Sequence, residues 1–327
     1  MSKPELKVAV GLIQTKQGQL LLAQRPADKP WAGWWELPGG KIESRETPEQ
    51  ALKRELQEEL GIDVQHCRPW VVHTHDYPQN RVHLHFFHVT AWNNPIQARE
   101  GQQFVWVEIT NPTTVEPLLP ATQLPLHWLQ LPQHYVLTQI EHPDQLPLYL
   151  KTLEETLEQQ NSLVQFREPN WKGSTTALKH ALQEVVAVCH DYNSQCLINS
   201  IHPEAWRTLA DGIHFRAYDA AAKPNKSLHG DCLIGISAHN AQELALAKDI
   251  QADFAVVGHV LPTPSHPNQP AMGWSDFAKL TAQAGLPVYA IGGQSVTTLT
   301  HAQSLGAHGI AGIRGMYATP AASKCCD

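Results

Sequence analysis

Gly40–Ile62 reads GKIESRETPEQALKRELQEELGI, and this stretch decides how the first part of the chain is read. It predicts a helix over Thr47–Leu60. Thr47 can cap it, Pro48 suits its first position, and Gln50 completes a capping box. Gly61 stops it. Leu52, Leu56 and Leu60 form an apolar stripe that faces a core. Glu55, Glu58 and Glu59 stand at i, i+3 and i+4, so three carboxylates share one side of the helix. Like charges so placed repel. A divalent cation reverses the sign of that interaction. A set of oxygen donors selects a hard ion, Mg²⁺ or Mn²⁺, which suits phosphate chemistry. A solvated acidic face is the commoner origin of such a run.

Outward from this helix, Leu6–Ile13, Leu20–Ala23, Arg81–Thr90 and Phe104–Ile109 read as strands, with Lys16–Gln19 as a turn. Pro112, Pro117, Pro120, Pro125 and Pro132 crowd the next stretch, which reads as a semi-rigid linker over residues 111–133. This sets a first domain at 1–130 and a second at 131–327. In the second, strand-like runs alternate with helical segments. The runs are Tyr135–Ile140, Leu163–Arg167, Cys196–Ser200, Gly212–Arg216, Leu233–Ser237, Phe254–Val260, Val288–Ile291 and Gly309–Ile313. Eight strands with crossover helices predict a (β/α)₈ barrel of the TIM type, with a doubly wound sheet as the alternative.

Composition bounds the partners. The 327 residues carry 24 Lys+Arg against 31 Asp+Glu, a net charge of −7, and 42 % are hydrophobic. That is globular composition, and the excess of acid argues against stable binding to nucleic acid or anionic membranes. No run approaches the ~20 apolar residues of a membrane span, and MSKPELKVAVGLI lacks the features of a signal peptide. Six scattered cysteines without a CxxC pair fit a reduced, cytoplasmic chain.

The acidic helix sits in a fuller pattern. Gly40, Glu46, Arg54, Glu55, Leu56, Glu58, Glu59, Gly61 and Ile62 resemble the Nudix box at every defined position. A chance match is on the order of 10⁻⁷, which sets the solvated-face reading aside. AVGLI, LLLAQRPAD, WELPGGKIE and REGQ extend the resemblance to the MutT branch, over residues 6–125. It implies a mixed sheet between helices, an α/β/α sandwich, and hydrolysis of a nucleoside diphosphate linked to another group. Metal ions would bridge carboxylates and phosphate oxygens and activate a water. Glu58 and Glu59 are then metal ligands, and Glu55 is a ligand or the general base. The carbonyl of Gly39 completes the coordination, and Glu100 is a further ligand or base. Arg54 orients the glutamates, and Glu46 braces the loop. Arg25, Glu36, Leu37, Pro38 and Gly39 would line the nucleotide site, while Trp31, Trp34 and Trp35 read as packing residues. One position departs from the pattern. The MutT branch has Pro-Ala-Asn late in the domain, its asparagine reading the oxidised guanine edge, and here Pro120-Ala121-Thr122 stands instead. A single hydroxyl cannot act as a bidentate amide, so tight 8-oxoguanine selectivity is not expected.

VQFRE, LINS, DGIHF, IGISAHN, VVGHVLPT, PVYAIGG and HGIAGIRGM, in that order, resemble the thiamine phosphate synthase and TenI group of barrels. Gly292, Gly293 and Gly315 would cradle a phosphate after the seventh and eighth strands, with Arg314 beside them. Arg167 and His239 would face the same mouth. The synthases need metal carboxylates and a pyrophosphate lysine. Ser200 stands where one carboxylate belongs and His266 where the lysine belongs, while Asp219 keeps the second carboxylate. Synthase activity is therefore not expected. The TenI branch uses a histidine in a Ser-x-His motif for proton transfer, and Ser237-Ala238-His239 keeps it.

Together these resemblances imply a Mg²⁺-dependent nucleoside triphosphate pyrophosphohydrolase, with Mn²⁺ as substitute. It would act on oxidised purine nucleotides such as 8-oxo-dGTP, in nucleotide-pool sanitation. The alternative is a bifunctional protein of thiamine metabolism. Its barrel would serve as a thiazole tautomerase, a phosphate-ligand module or a homo-oligomerisation platform.

Overall fold

The structure is a computed structural model, and it describes residues 3–110, 115–222, 232–264 and 269–317. The chain separates into two compact units, one built mainly on residues up to Leu131 and the other mainly on residues from Pro132 onward.

The first unit holds two sheets. Strand β1 (Glu5–Ile13) is their organising element in the larger one. It runs parallel to β6 (Arg81–Asn93) and antiparallel to β4 (Gly39–Lys41), and β5 (Asp63–Asp76) pairs antiparallel with β6 at the edge. The result is the mixed sheet implied by the Nudix resemblance. A smaller antiparallel sheet joins β3 (Trp35–Glu36), β2 (Gln19–Gln24) and β7 (Phe104–Glu108).

Helix α1 (Pro48–Leu60) forms as its sequence dictates. The Thr47 side chain accepts from the Gln50 N–H, and the Gln50 side chain closes the capping box. Gly61 ends the helix in the left-handed region, φ 70°. Leu52, Leu56 and Leu60 are fully buried against Ala9, Ile13 and Val89. Burial of each such leucine stabilises by roughly 1.5–3 kcal/mol. The apolar stripe therefore fixes which side of the helix carries the carboxylates.

One reading needs correction. Part of the proline-rich stretch 111–133 is structured, because α2 spans Pro120–Trp128 and buries Ala121, Leu126 and Trp128. Pro120 stands at its start and needs no N–H there, and the helix tolerates Pro125 in its interior. Strand β5 was not legible in the sequence. Its pairing shifts register at three places and Pro69 interrupts it, so the alternation of a regular strand is lost. An edge position tolerates the proline.

The second unit is a closed barrel of eight parallel strands. They are β8 (His134–Leu137), β9 (Ser162–Phe166), β10 (Cys196–Asn199), β11 (Gly212–Phe215), β12 (Leu233–Ala238), β13 (Phe254–Gly258), β14 (Val288–Ile291) and β15 (Gly309–Gly312). β15 pairs with β8 and closes the ring, which excludes the doubly wound alternative. Helices α3 (Leu146–Gln159), α4 (Thr175–Asp191), α5 (Ala217–Ala220), α6 (Ala241–Asp249), α7 (Gly273–Ala284) and α8 (Leu299–Ser304) lie between strands in sequence. Among the described residues, no helix is long and apolar enough to cross a membrane, and Cys67, Cys189, Cys196 and Cys232 are free thiols.

Candidate active site

The Pro38-Gly39-Gly40 turn meets the polar side of α1. Gly39 has φ 146°, and a Cβ there would collide with the carbonyl oxygen of Ala9. A Cβ on Gly40 would collide with the carboxyl group of Glu55. Gly39 therefore lets β4 pack closely on β1, and Gly40 lets it approach the helix. The backbone N–H of Gly39 donates to Glu59 Oε2 at 3.2 Å.

Arg54 organises the other glutamates. Its Nη2 lies 2.7 Å from Glu46 Oε1, and its Nη1 lies 2.9 Å from Glu55 Oε1 and 3.4 Å from Glu58 Oε2. Nη2 also donates to the Lys41 carbonyl at 3.0 Å. Glu46 in turn accepts the Glu43 N–H at 2.6 Å, which braces the turn before the helix. The guanidinium holds Glu46 below its ordinary range, and Glu46 raises Arg54 in return.

Glu59 has a different environment. Burial pushes its carboxyl up to about 8, and the nearby Glu100 and Glu36 charges push the same way. The loop that delivers Glu100 is pinned to the end of α1. Arg99 N–H and Gln102 Nε2 both donate to the Glu59 carbonyl, at 3.1 and 2.7 Å, and Gln97 N–H donates to that of Leu60 at 2.9 Å. These bonds satisfy helix carbonyls that would otherwise lack partners. Glu100 Oε2 lies 2.6 Å from Lys29 Nζ. Arg25 Nη1 donates to Glu36 Oε1 at 2.7 Å, which offsets part of the upward push that burial gives Glu36.

The structure thus brings Gly39, Glu36, Glu59 and Glu100 into one neighbourhood, with the adjacent Glu58 and, one turn back, Glu55 held on Arg54. Each carboxylate is held by its own neighbour: Arg54 for Glu55 and Glu58, Gly39 for Glu59, Lys29 for Glu100. Accordingly, among the described residues no three carboxylate, imidazole or thiol groups converge as a ready-made metal cage. The donor set still fits a hard divalent ion. It is all oxygen, and the like charges of Glu100 and Glu36 outweigh that of Lys29 at Glu59.

Leu37 is buried beside these groups, and Pro38 accepts the Gly11 N–H at 2.8 Å. Leu119 N–H donates to the Trp35 carbonyl at 2.8 Å, which sets the start of α2 beside β3. Thr122 is buried on α2, 3 % exposed. Tyr77 was not singled out from sequence. Its hydroxyl accepts the N–H of Ala121, and it feels the charges of Glu36 and Arg25. Lys29 was missed as well. Both lie outside the glutamate pattern, so spacing gave no signal. Trp34 and Trp35 are half-buried as expected, but Trp31 remains 44 % exposed, its ring edge-on to Trp34 at 4.7 Å.

Inside the barrel the structure assembles a buried polar chain. Asn199 Nδ2 donates to Gln165 Oε1 at 2.9 Å, and Gln165 Nε2 donates to Tyr135 Oη at 2.9 Å. Tyr135 Oη lies 3.1 Å from His214 Nδ1, and His214 Nε2 lies 2.9 Å from Ser237 Oγ. Burial, assisted by the Arg167 charge, pushes His214 down to about 3, so the ring is neutral. These residues were legible only as polar interruptions of apolar strands, a signal the strand motifs concealed. His239 is not part of this chain. Its Nδ1 turns to Glu243 Oε2, 2.8 Å away on α6, and its side chain is 60 % exposed. Gly292 and Gly293 follow β14 with positive φ, and Arg314 is exposed in the turn after β15. His266 lies outside the described residues.

Residues 9–123 match the NUDIX domain profile, and residues 135–316 match that of thiamine monophosphate synthase. A Proteus vulgaris protein, 8-oxo-dGTP diphosphatase, is 48 % identical over 101 residues, covering 31 % of this chain and 90 % of that one. The CTP pyrophosphohydrolase of Escherichia coli strain K12 is 42 % identical over 101 residues, covering 31 % and 74 %. The thiamine-phosphate synthase of Geobacillus kaustophilus is 30 % identical over 171 residues, covering 51 % and 77 %. With an intact acidic helix in one unit and a closed barrel in the other, the chain belongs to the Nudix hydrolases, as a nucleotide pyrophosphohydrolase, fused to a barrel of the thiamine monophosphate synthase family.

Proposed function

We propose that the first unit cleaves nucleoside triphosphates to the monophosphate and pyrophosphate, with Mg²⁺ as its ion and 8-oxo-dGTP as its preferred substrate. The observation that carries this reading is Glu59, a half-buried carboxyl that accepts the Gly39 N–H at 3.2 Å and feels the charges of Glu100 and Glu36. A bound cation favours the ionised form of that grouping, beyond what Lys29 and Arg25 already offset. Glu55, Glu58, Glu59, Glu100 and the Gly39 carbonyl are the residues that would hold it. When bound, Mg²⁺ neutralises phosphate charge and activates the attacking water.

The protein's own groups do the rest. Arg54 keeps Glu55 and Glu58 turned to one side. Glu55 and Glu58 each have one oxygen on Arg54, and Glu55, which the family resemblance makes a ligand or the base, is the carboxylate we assign to take the water proton. Arg25 and Glu36 flank the triphosphate, and Tyr77, Ala121 and Thr122 mark the base end. The four free thiols support a cytoplasmic site of action.

A substrate panel with Mg²⁺ tests the reading, comparing 8-oxo-dGTP, dGTP, CTP and 5-methyl-dCTP by kcat/KM. The expected order places 8-oxo-dGTP first and dGTP behind it by a modest factor. Thr122→Asn should widen that gap, because an amide can hydrogen-bond two base atoms and rejects bases that leave it unpaired. A preference for CTP would replace the purine reading.

A second reading concerns the barrel. Its buried Gln165–Tyr135–His214–Ser237 chain is a polar interior that a purely structural barrel does not need. We infer that it is a receptor for a small phosphate ester, with Gly292, Gly293 and Arg314 on the phosphate side and Arg167 above the network. His239 pairs with Glu243, which favours this receptor over tautomerisation at His239.

A further inference from the structure

The loop over residues 25–34 borders the acidic site and is built to be stiff. Its bonds are internal. Gly33 N–H donates to the Arg25 carbonyl at 3.0 Å, Lys29 N–H to that of Pro26 at 3.2 Å, and Arg25 N–H to that of Trp34 at 2.8 Å. Arg25 Nε ties the far side of the loop to its root, donating to the Pro30 carbonyl at 2.7 Å. Pro30 also restricts the backbone of the residue before it. That residue is Lys29.

Two side chains leave this loop for the acidic site. Arg25 is committed to Glu36, 2.7 Å away. Lys29 Nζ reaches Glu100 Oε2 at 2.6 Å. The backbone on the Glu100 side is as fixed as the loop. Arg99 N–H and Gln102 Nε2 both hold the Glu59 carbonyl, and Glu100 N–H donates to Gln102 Oε1 at 2.9 Å. The Arg99 side chain is spent elsewhere, its Nη1 donating to the Gln57 carbonyl at 3.1 Å. Neither backbone shifts without breaking several bonds, so a change of partner between Lys29 and Glu100 falls to the two side chains.

Those side chains suit such an exchange. They are 40 % and 39 % exposed, and an ion pair so open to water is held weakly. Lysine carries a point charge on a flexible stem, whereas an arginine would pair through a rigid fork. Glu100 is also the residue that the Nudix resemblance makes a metal ligand or base. It cannot serve as a ligand through Oε2 and keep an ammonium on the same oxygen, because the two positive charges compete. An ammonium that leaves Glu100 still feels Glu59 and Glu36. It therefore stays at the edge of a carboxylate-rich site that has to admit a polyanion, where a free positive charge finds phosphate oxygens.

We propose that Lys29 is the internal counter-ion of Glu100 in the free protein and a phosphate-binding residue in the loaded one, passing from the carboxylate to the phosphate chain of the nucleotide. This rests on the reading of the first unit as a Mg²⁺-dependent triphosphate pyrophosphohydrolase.

The test compares wild type, Lys29→Met and Lys29→Arg as full chains. Methionine keeps the stem and removes the charge, while arginine keeps the charge and strengthens the pair. Mn²⁺ binding without nucleotide, followed by electron paramagnetic resonance, reads the first half of the exchange. Lys29→Met should bind Mn²⁺ about two- to fivefold more tightly, the range an exposed pair allows, and Lys29→Arg no more tightly than wild type. Steady-state kinetics with the triphosphate that the panel above ranks first read the second half. Lys29→Met should raise KM at least about fivefold with kcat within about twofold, the pattern of a contact made equally in ground and transition states. Lys29→Arg should recover most of that KM. Thermal unfolding checks that the variants are folded, and their midpoints should match wild type because the pair is exposed. Mn²⁺ affinity and KM both unchanged in Lys29→Met would overturn the proposal and leave an ordinary surface pair. A change in only one of them would overturn the exchange, since the same ammonium has to serve both partners. A wild type that binds Mn²⁺ and turns over no triphosphate would remove the function reading, and the proposal with it.

Discussion

The backbone N–H of Gly39 donates to Glu59 Oε2 at 3.2 Å, from a turn where a Cβ would collide with the Ala9 carbonyl of β1. This single contact joins the two halves of the acidic pattern. The glycine turn and the helix are brought together before any ligand is considered. The carboxylate at their junction is the one whose proton is held most strongly, with its pKa raised to about 8.

Gly40→Ala should lower activity with little loss of stability. Its Cβ would meet the Glu55 carboxyl group, so either the side chain or strand β4 must move. Because the atoms met are the far end of the flexible Glu55 side chain, the stability cost should be small and the loss should fall on activity. Thermal unfolding of the variant, run beside Gly18→Ala, sets a steric cost against a conformational one, since Gly40 is not among the positive-φ glycines. Gly18 has positive φ and open space around it, so its variant should show only the conformational penalty.

Arg54→Gln should reduce kcat by about ten- to a hundredfold with a smaller effect on stability, as is typical when a group that orients ligands is removed. Arg54 contacts Glu46, Glu55, Glu58 and the Lys41 carbonyl, and its side chain is 27 % exposed. Arg54→Lys should recover little, since one ammonium cannot reproduce the fork. Steady-state kinetics at several Mg²⁺ concentrations check this. A variant with normal kcat once Mg²⁺ is saturating would show that Arg54 has no orienting role.

His214 makes a prediction about pH. Its folded pKa lies near 3, against 6.5 for the free side chain. The unfolded chain therefore takes up a proton at this position as pH falls below 6.5, and the folded barrel does not. Stability from His214 is complete above that range and is lost as pH drops toward 3, by about 2 kcal/mol at pH 5. His202, pushed down to about 4, acts with the same sign. Denaturant unfolding of wild type and His214→Asn between pH 7 and pH 5 isolates the contribution. The gap in stability between them should narrow with falling pH, and a constant gap would contradict the assignment of a buried neutral ring.

Much of this architecture is legible in the sequence because local and tertiary preferences agree. Thr47, Pro48, Gln50 and Gly61 define a helix by capping alone, and Leu52, Leu56 and Leu60 say which side is buried. The barrel strands are continuous apolar runs, as parallel strands covered on both faces must be. Their number implied a barrel, but only the β15–β8 pairing decides closure. What escaped was irregular or non-local. Strand β5 loses its alternation at its bulges. Helix α2 hides among prolines. Lys29 reaches Glu100 across 71 positions of chain, and Tyr77 meets Ala121 through the fold, so no local spacing announces either. The carboxylates were found by pattern, whereas their separate partners had to be seen.

The central claim is that the α1 carboxylates run a nucleotide pyrophosphohydrolysis. The measurement that reaches it most directly follows ³¹P spectra of 8-oxo-dGTP with the full chain and Mg²⁺, for wild type and Glu59→Gln. The account predicts nucleoside monophosphate and pyrophosphate from wild type. It predicts a rate at least about a hundredfold lower for Glu59→Gln, with unfolding in EDTA at an equal or higher temperature, because an amide replaces a carboxyl whose ionised form the site disfavours. Release of inorganic phosphate and a nucleoside diphosphate, or a Glu59→Gln rate close to wild type, would contradict it.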